Sequence, residues 1–210
     1  MDNMEFMLGC KDNQFDLAIV DPPYGISEPA FRRNDVIVKK ASKTKKYNTA
    51  VYKQGIPSKE YFKELTRVSK NQIIWGGNYF GLLPSRCWVV WDKVTQDAQW
   101  ADCELAWTSF KSSVRMFKFA WNGMIQGDMK NKEIRIHPTQ KPVQLYKWLL
   151  KNYAKEGDKI LDTHVGSQSS RIACWDGGFD YWGTELDPEY FADGNKRFEI
   201  HRSQGNLFAV

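Results

Sequence analysis

An aspartate, two prolines and a tyrosine, Asp21-Pro22-Pro23-Tyr24, follow directly on the apolar run Leu17–Val20. A carboxylate at the end of a buried strand is an acceptor facing a cleft. The prolines carry no N–H, fix their own φ and push the preceding residue toward extended geometry. The expected product is a rigid turn whose carbonyls are free, beside a carboxylate and an aromatic ring. Such a turn suits an exocyclic amine on a planar heterocycle: Asp21 accepts one N–H, a turn carbonyl accepts the other, and Tyr24 stacks on the ring. A simple strand-ending turn is the competing reading of the same residues.

A second group of residues lies far along the chain. Asp162 ends another apolar run, and Gly166 opens a tight loop where backbone can approach a ligand. Ser167 to Ser169 begin a helix whose N-terminus favours a carboxylate. Glu185 follows about 20 residues after Asp162, the spacing at which a Rossmann-like sheet places the acid that grips ribose hydroxyls. Two weaker signals are "WGGNYF", residues 75–80, read as packing glycines ahead of ligand contacts, and Trp107, read as a core aromatic.

These residues need a scaffold that brings them to one edge. Short β-branched or aromatic runs predict strands at Leu17–Val20, Gln72–Trp75, Trp88–Trp91, Glu104–Thr108, Ile160–Asp162 and Tyr181–Glu185. Helical patterns fall between them: Lys59–Ser69 behind Ser58, a helix opened by Pro142, Ser169–Trp175 and Pro188–His201. Alternating strands and helices predict an α/β fold, a mainly parallel sheet with helices on both faces. Ligands bind such sheets outside the carboxyl ends of the strands, where Asp21 and Asp162 stand.

At 210 residues the chain suits one domain with a sizeable core. Its 42% hydrophobic and 26% charged residues predict an ordinary soluble protein. Nine Trp, nine Tyr and twelve Phe mostly serve a core, with a minority free to face bases. The net charge of +5 permits an anionic partner. Much of the positive charge gathers in Arg32, Arg33, Lys39, Lys40, Lys43, Lys45 and Lys46, within a basic segment at residues 28–57. That segment reads equally as a solvated loop or as an arm that neutralises phosphates. The four cysteines are scattered without metal-ligand spacing and the three histidines show none, so no metal is expected. No apolar run approaches a membrane span, and the expectation is no membrane partner.

"DPPYG" after an apolar strand resembles motif IV of the amino-group DNA methyltransferases, which methylate adenine N6 or cytosine N4 using S-adenosylmethionine. "HPTQKP" (137–142), "KILDTHVGSQSS" (159–170) and "YWGTELDPEYF" (181–191) resemble, in order, the helix entry, motif I and following strand of the permuted β-type subgroup, with a phage-type origin as one reading. The resemblance implies a Rossmann-like S-adenosylmethionine-dependent methyltransferase fold with circularly permuted motif order. It implies one domain over 1–210, with a catalytic half over about 1–136 and a cofactor half over about 137–210. It implies catalytic roles for Asp21, Pro22, Pro23 and Tyr24, and cofactor contacts from Asp162, His164, Gly166, Ser167, Gln168, Glu185, Thr139 and Asp2. The aspartate form is typical of adenine N6 enzymes. DNA is the implied partner, with the basic segment as nucleic-acid-binding arm and a homodimer compatible with the short recognition region. The implied location is the cytoplasm of a bacterium or a phage-infected host.

The chain departs from the motif at three places. Thr163-His164 replace a Pro-Phe pair, and Gln168 replaces the second motif I glycine, with the expected effect of narrowing the cofactor loop or adding a polar contact. Asp2 stands for an acid that usually ends a preceding strand. Alternatives left open by the residues are a cytosine N4 enzyme, an RNA methyltransferase and a non-catalytic DNA-binding relative.

Overall fold

The computed structural model describes residues 1–26, 55–94, 101–122 and 125–206. Its strands in chain order are β1 (Phe15–Val20), β2 (Ser69–Trp75), β3 (Trp88–Asp92), β4 (Cys103–Thr108), β5 (Arg115–Lys118), β6 (Trp121–Asn122), β7 (Ile125–Gln126), β8 (Lys159–Asp162) and β9 (Asp180–Gly183). The helices are α1 (Asn3–Leu8), α2 (Lys59–Val68), α3 (Val143–Tyr153), α4 (Ser169–Gly177) and α5 (Pro188–Asn206).

Seven strands form one sheet in the order β5-β3-β4-β2-β1-β8-β9. The side holding β2, β1, β8 and β9 is parallel throughout. β4 runs against both β2 and β3, while β5 returns parallel to β3. β6 and β7 pair separately as a short antiparallel ribbon. This is the α/β, Rossmann-like architecture expected, with one reversed strand in an otherwise parallel sheet.

β1 is buried along its length apart from partly exposed Asp16 because both faces of the sheet are covered. Leu17 and Ile19 of β1, with Ile73 and Trp75 of β2, join a core that includes Leu145 and Leu149 of α3 and Ala173 of α4. Ala18, Val20 and Ile74 face the other way, onto Met7 of α1 and Tyr61, Leu65 and Val68 of α2. Each large aliphatic side chain so enclosed contributes about 1.5–3 kcal/mol.

Helix ends follow local chemistry. Ser58 caps α2 as expected, its Oγ accepting from the Tyr61 N–H at 3.3 Å. Pro142 sits at the cap position of α3, one residue ahead of the helix. Having no side-chain donor or acceptor, it leaves the Val143 N–H to Glu133 Oε1, 2.9 Å away. α4 ends at Gly178, whose φ of 70° is left-handed, the usual glycine stop.

Four features differ from the sequence reading. Residues 181–185 were expected to be strand throughout, but β9 closes at Gly183 and Glu185 lies beyond it. β5 lengthens the sheet at one edge, built from the alternating run Arg115-Met116-Phe117-Lys118. The β6–β7 ribbon lies in the span between Phe110 and His137. Helix α1 also goes beyond the prediction, and it uses Asp2 as its cap: Asp2 Oδ1 accepts from the N–H groups of Met4 and Glu5.

Candidate active site

The Asp21-Pro22-Pro23-Tyr24 turn leaves β1 at the carboxyl edge, beside the ends of β2 and β8. Pro22 is buried and the other three are partly exposed. Tyr24 folds back on Asp21: its hydroxyl donates to Asp21 Oδ1 at 2.6 Å. Its ring stacks against Tyr79, centroids 5.2 Å apart and planes 19° apart. Behind it Gly76 adopts a left-handed φ of 69°, and a Cβ there would come within 2.2 Å of the Tyr24 ring. Gly77 is pressed as closely against Trp107, so both glycines of "WGGNYF" are packing glycines. The expected stacking surface of Tyr24 thus already carries Tyr79, itself exposed at the rim.

The second oxygen of Asp21 accepts from Lys141 Nζ, also at 2.6 Å. Lys141 is the lysine of "HPTQKP", and its side chain is only 4% exposed. The same ammonium reaches Glu104 Oε2 of β4 at 2.9 Å, and Lys93 Nζ holds the other Glu104 oxygen at 2.6 Å. A chain of alternating charges, Asp21–Lys141–Glu104–Lys93, therefore ties the turn to the far side of the sheet. Burial raises Asp21 above the ordinary carboxylate range, with Lys141 only partly opposing. Burial works against the charge on Lys141, but Asp21 and Glu104 outweigh it and raise the group. Burial likewise opposes the charge on Glu104, yet its two lysines hold it at about 2. Burial, reinforced by Asp21 and Glu104, pushes the Tyr24 phenol well above its usual value, so it remains a donor.

Sequence reasoning singled out the motif around Lys141 without giving that residue a role, and it missed Glu104 and Lys93 altogether. The available signal was a lysine inside a motif next to a helix start; nothing local marks Glu104, one acid in an aromatic strand.

Asp162, His164, Gly166 and Glu185 gather where β8 and β9 end. Asp162 is buried and shapes its own loop, with Oδ1 accepting from the His164 N–H at 3.0 Å and Oδ2 from Ser170 Oγ at 2.6 Å. Burial pushes it up to about 7. Gly166 has a φ of 46°, and its N–H donates to Glu185 Oε2 at 2.9 Å, which fastens the loop to the segment after β9. Glu185 Oε1 accepts from the N–H groups of Leu186 and Asp187. The carbonyl of Glu185 accepts from the Met1 amine at 3.0 Å, so Asp2 is delivered to the same edge. His164 Nε2 lies 3.1 Å from Asn3 Nδ2, and burial brings the imidazole down to about 4, leaving it neutral. A cleft of about 180 Å³ opens beside the turn, lined among others by Met4, Pro23, Ser58, Tyr61 and His164.

Three of the residues singled out for cofactor contact make these bonds within the chain. Gln168 adopts a left-handed conformation at φ 59°. Its buried side chain turns to α5, with Nε2 donating to Asn195 Oδ1 at 2.9 Å and Oε1 accepting from Arg171. The carbonyl of Ser167 accepts from Arg197 at 2.6 Å, and its hydroxyl meets Ser169 at 3.1 Å. Thr139 is exposed and hydrogen-bonds its neighbour His137. The cluster Arg32, Arg33, Lys39, Lys40, Lys43, Lys45 and Lys46 lies outside the described residues. Among the described residues no group of His, Cys, Asp and Glu is arranged to hold a metal, and no helix is long and apolar enough to cross a membrane.

A family model for DNA methylases of the N6 and N4 type matches residues 30–196. The chain belongs to this family. The matched span takes in Glu104, Lys141, Asp162 and Glu185 and begins after the Asp21–Tyr24 turn. The chain is 33% identical over 85 residues to the type II methyltransferase M2.DpnII of Streptococcus pneumoniae, a match covering 40% of this chain and 31% of that protein. It is 32% identical over 80 residues to the DNA adenine methyltransferase YhdJ of Escherichia coli strain K12, covering 37% and 27%. These matches span less than a third of either relative. Among solved structures, the chain is similar to the M1.HpyAVI–SAM complex (TM-score 0.54, 19% identity, 93% of this chain and 96% of that one). It is also similar to the cytosine-N4-specific PvuII DNA methyltransferase (TM-score 0.59, 14% identity, 94% and 84%). The shared feature is the fold.

Proposed function

We propose that this family member is an S-adenosylmethionine-dependent DNA methyltransferase acting on the N6 amine of adenine, with its catalytic half, about 1–136, ahead of its cofactor half, about 137–210. The observation that carries the reading is the placement of the Asp21–Tyr24 turn and the Asp162–Ser170 loop at the ends of adjacent strands, with the cleft between them. The aspartate form of the turn and the adenine-specific relative favour adenine over cytosine.

The residues present fit the cofactor. Glu185 gives three backbone donors its two oxygens, and a carboxylate has capacity for a ribose hydroxyl besides. α4 begins at Ser169 with no side-chain cap, three residues after the positive-φ Gly166, which suits the cofactor's carboxylate. His164 and Tyr61 line the cleft beside Asn3 and Met4. When bound, S-adenosylmethionine supplies an electrophilic sulfonium methyl.

The chain's own task is then to present a nitrogen lone pair. Asp21 accepts one amine N–H and a proline carbonyl of the turn accepts the other, which leaves the lone pair directed at the methyl. Transfer of that methyl from sulfur to the nitrogen would leave the nitrogen with one proton to shed. Asp21, raised by burial, is the nearest group able to take that proton. Holding both partners in line does most of the work. Lys39, Lys40, Lys43, Lys45 and Lys46 supply phosphate contacts in this reading, and a second copy of the chain is a candidate source of further recognition surface.

The test is Asp21→Ala. Methyl transfer to DNA is expected to vanish while cofactor affinity by calorimetry stays within about twofold, because Asp21 meets only the acceptor. Equal loss of both would remove the division of roles. Neutralising the five lysines is expected to flatten the salt dependence of DNA binding by about 4 in slope.

A further inference from the structure

Asp21 does not stand open. Each of its oxygens already holds a donor at 2.6 Å, the Tyr24 hydroxyl on one and the Lys141 ammonium on the other. A carboxylate accommodates further donors, but an arriving amine would meet one whose charge is largely neutralised. Something must take the donors over. Glu104 is placed to do so: its Oε2 lies 2.9 Å from Lys141 Nζ and 3.5 Å from the Tyr24 hydroxyl.

We propose that Glu104 is a positioning residue which receives Lys141 and the Tyr24 hydroxyl when an amine occupies Asp21, so that one shared cation is passed between two carboxylates. The proposal rests on the methyltransferase reading for its substrate and on the side-chain geometry for its device.

The physical need is clear from burial. Lys141 is almost wholly enclosed, and releasing it from Asp21 without another anion would leave a buried charge unpaired. With Glu104 already in contact, the transfer exchanges one charged hydrogen bond for another. Against burial, Lys141 and then Lys93, on the far oxygen, keep Glu104 ionised. The rings around the pair add constraint: Lys141 Nζ lies 5.7 Å from the Tyr24 ring centroid and 5.3 Å from that of Trp75, so aromatic faces bound the ammonium on two sides.

The groups facing Asp21 are Tyr24 on its own turn, Glu104 of β4, Lys141 before α3, Tyr146 of α3, Tyr61 of α2 and Asp162 of β8. Lys141 and Glu104 act on it with opposite signs, which gives the experiment a signature that a purely structural role lacks.

The test combines kinetics with carbon-13 NMR of the whole chain labelled at aspartate, the Asp21 signal being assigned with Asp21→Asn. Glu104→Gln keeps the shape and removes the charge. It is expected to lower kcat about tenfold with KM for cofactor nearly unchanged, and to move the Asp21 titration downward as Lys141 commits to Asp21 alone. Lys141→Gln is expected to move the same titration upward. In the double variant the Glu104→Gln effect on kcat should largely disappear, because no cation is left to hand over. Lys93→Met, which leaves Lys141 in place, frees Glu104 to grip Lys141 harder and should move Asp21 upward. Wild-type kcat in Glu104→Gln, fully additive losses, or an Asp21 titration unmoved by both single changes would overturn the proposal. If the wild-type protein methylates no nucleic acid, the methyltransferase reading fails instead, and the opposite NMR shifts alone decide whether the cation is shared.

Discussion

Replacing Lys141 with methionine tests the electrostatic core of the site. The side chain is nearly isosteric and its position is buried, so the change removes charge and little volume. Breaking one partner out of a buried pair costs about 3–5 kcal/mol. Here Asp21 retains 14% exposure and Glu104 23% while keeping Lys93, which places the expected loss near the lower end, about 3 kcal/mol at neutral pH. The sign of the pH dependence follows from linkage. The raised Lys141 contributes stability that is fully present below the ordinary lysine range and lost only as pH climbs through its raised value, so at neutral pH the wild type has all of it. Asp21 is already raised by burial, and without its cation it rises further. A raised acid stabilises the fold below its unfolded value, and that contribution is lost as pH rises through the folded one. The penalty of Lys141→Met is therefore smaller near about pH 4, where only the Glu104 share of the pairing remains, than near about pH 8, where the Asp21 share is added. Urea unfolding of both proteins at the two pH values measures it, with matching m-values as the check on two-state behaviour. An equal loss at both pH values, or a variant as stable as wild type at pH 8, would refute the argument.

Other consequences concern the two loops. Gln168→Ala keeps the left-handed backbone and loses the contacts to Asn195 and Arg171, so about 2 kcal/mol of stability should go; Gln168→Gly relieves the backbone and should lose about 1 kcal/mol or less, both read by urea unfolding. Gly76→Ala forces a Cβ into the Tyr24 ring at a positive φ, with an expected cost of about 3 kcal/mol. If it folds, methyl transfer should fall far more than cofactor affinity, since Tyr24 carries the Asp21 contact; calorimetry beside a transfer assay distinguishes the two. Glu185→Ala releases the Gly166 N–H and should weaken cofactor binding about tenfold or more, measured by calorimetry.

The legible parts of the fold were those fixed by local chemistry. Runs such as Leu17–Val20 and Ile160–Asp162 are buried on both faces, and only a central parallel strand needs so unbroken an apolar stretch. β5 escaped notice because its edge position leaves only Phe117 half-buried, so the apolar signal is faint. α1 buries Met7 alone, and its cap, Asp2, looked like a strand-ending acid. Within the site, the Asp21 turn and the Asp162–Glu185 frame were readable from residue type and spacing. The contacts that tune them were not. Lys141 and Glu104 meet Asp21 from distant parts of the chain, and no local pattern announces a pairing made by sheet order. Gln168 illustrates the same limit: a side chain in place of glycine suggested a narrowed loop or an added polar contact, and only the structure shows it turned onto α5.

The central claim is that the Asp21 turn presents an adenine amine to a methyl donor held at Asp162–Glu185. The direct measurement is incubation of the protein with labelled S-adenosylmethionine and unmethylated genomic DNA, followed by digestion and nucleoside analysis. The account predicts label in N6-methyladenosine of the deoxy series, lost in Asp21→Ala. Label in N4-methylcytosine, or no label in any nucleoside, would contradict it.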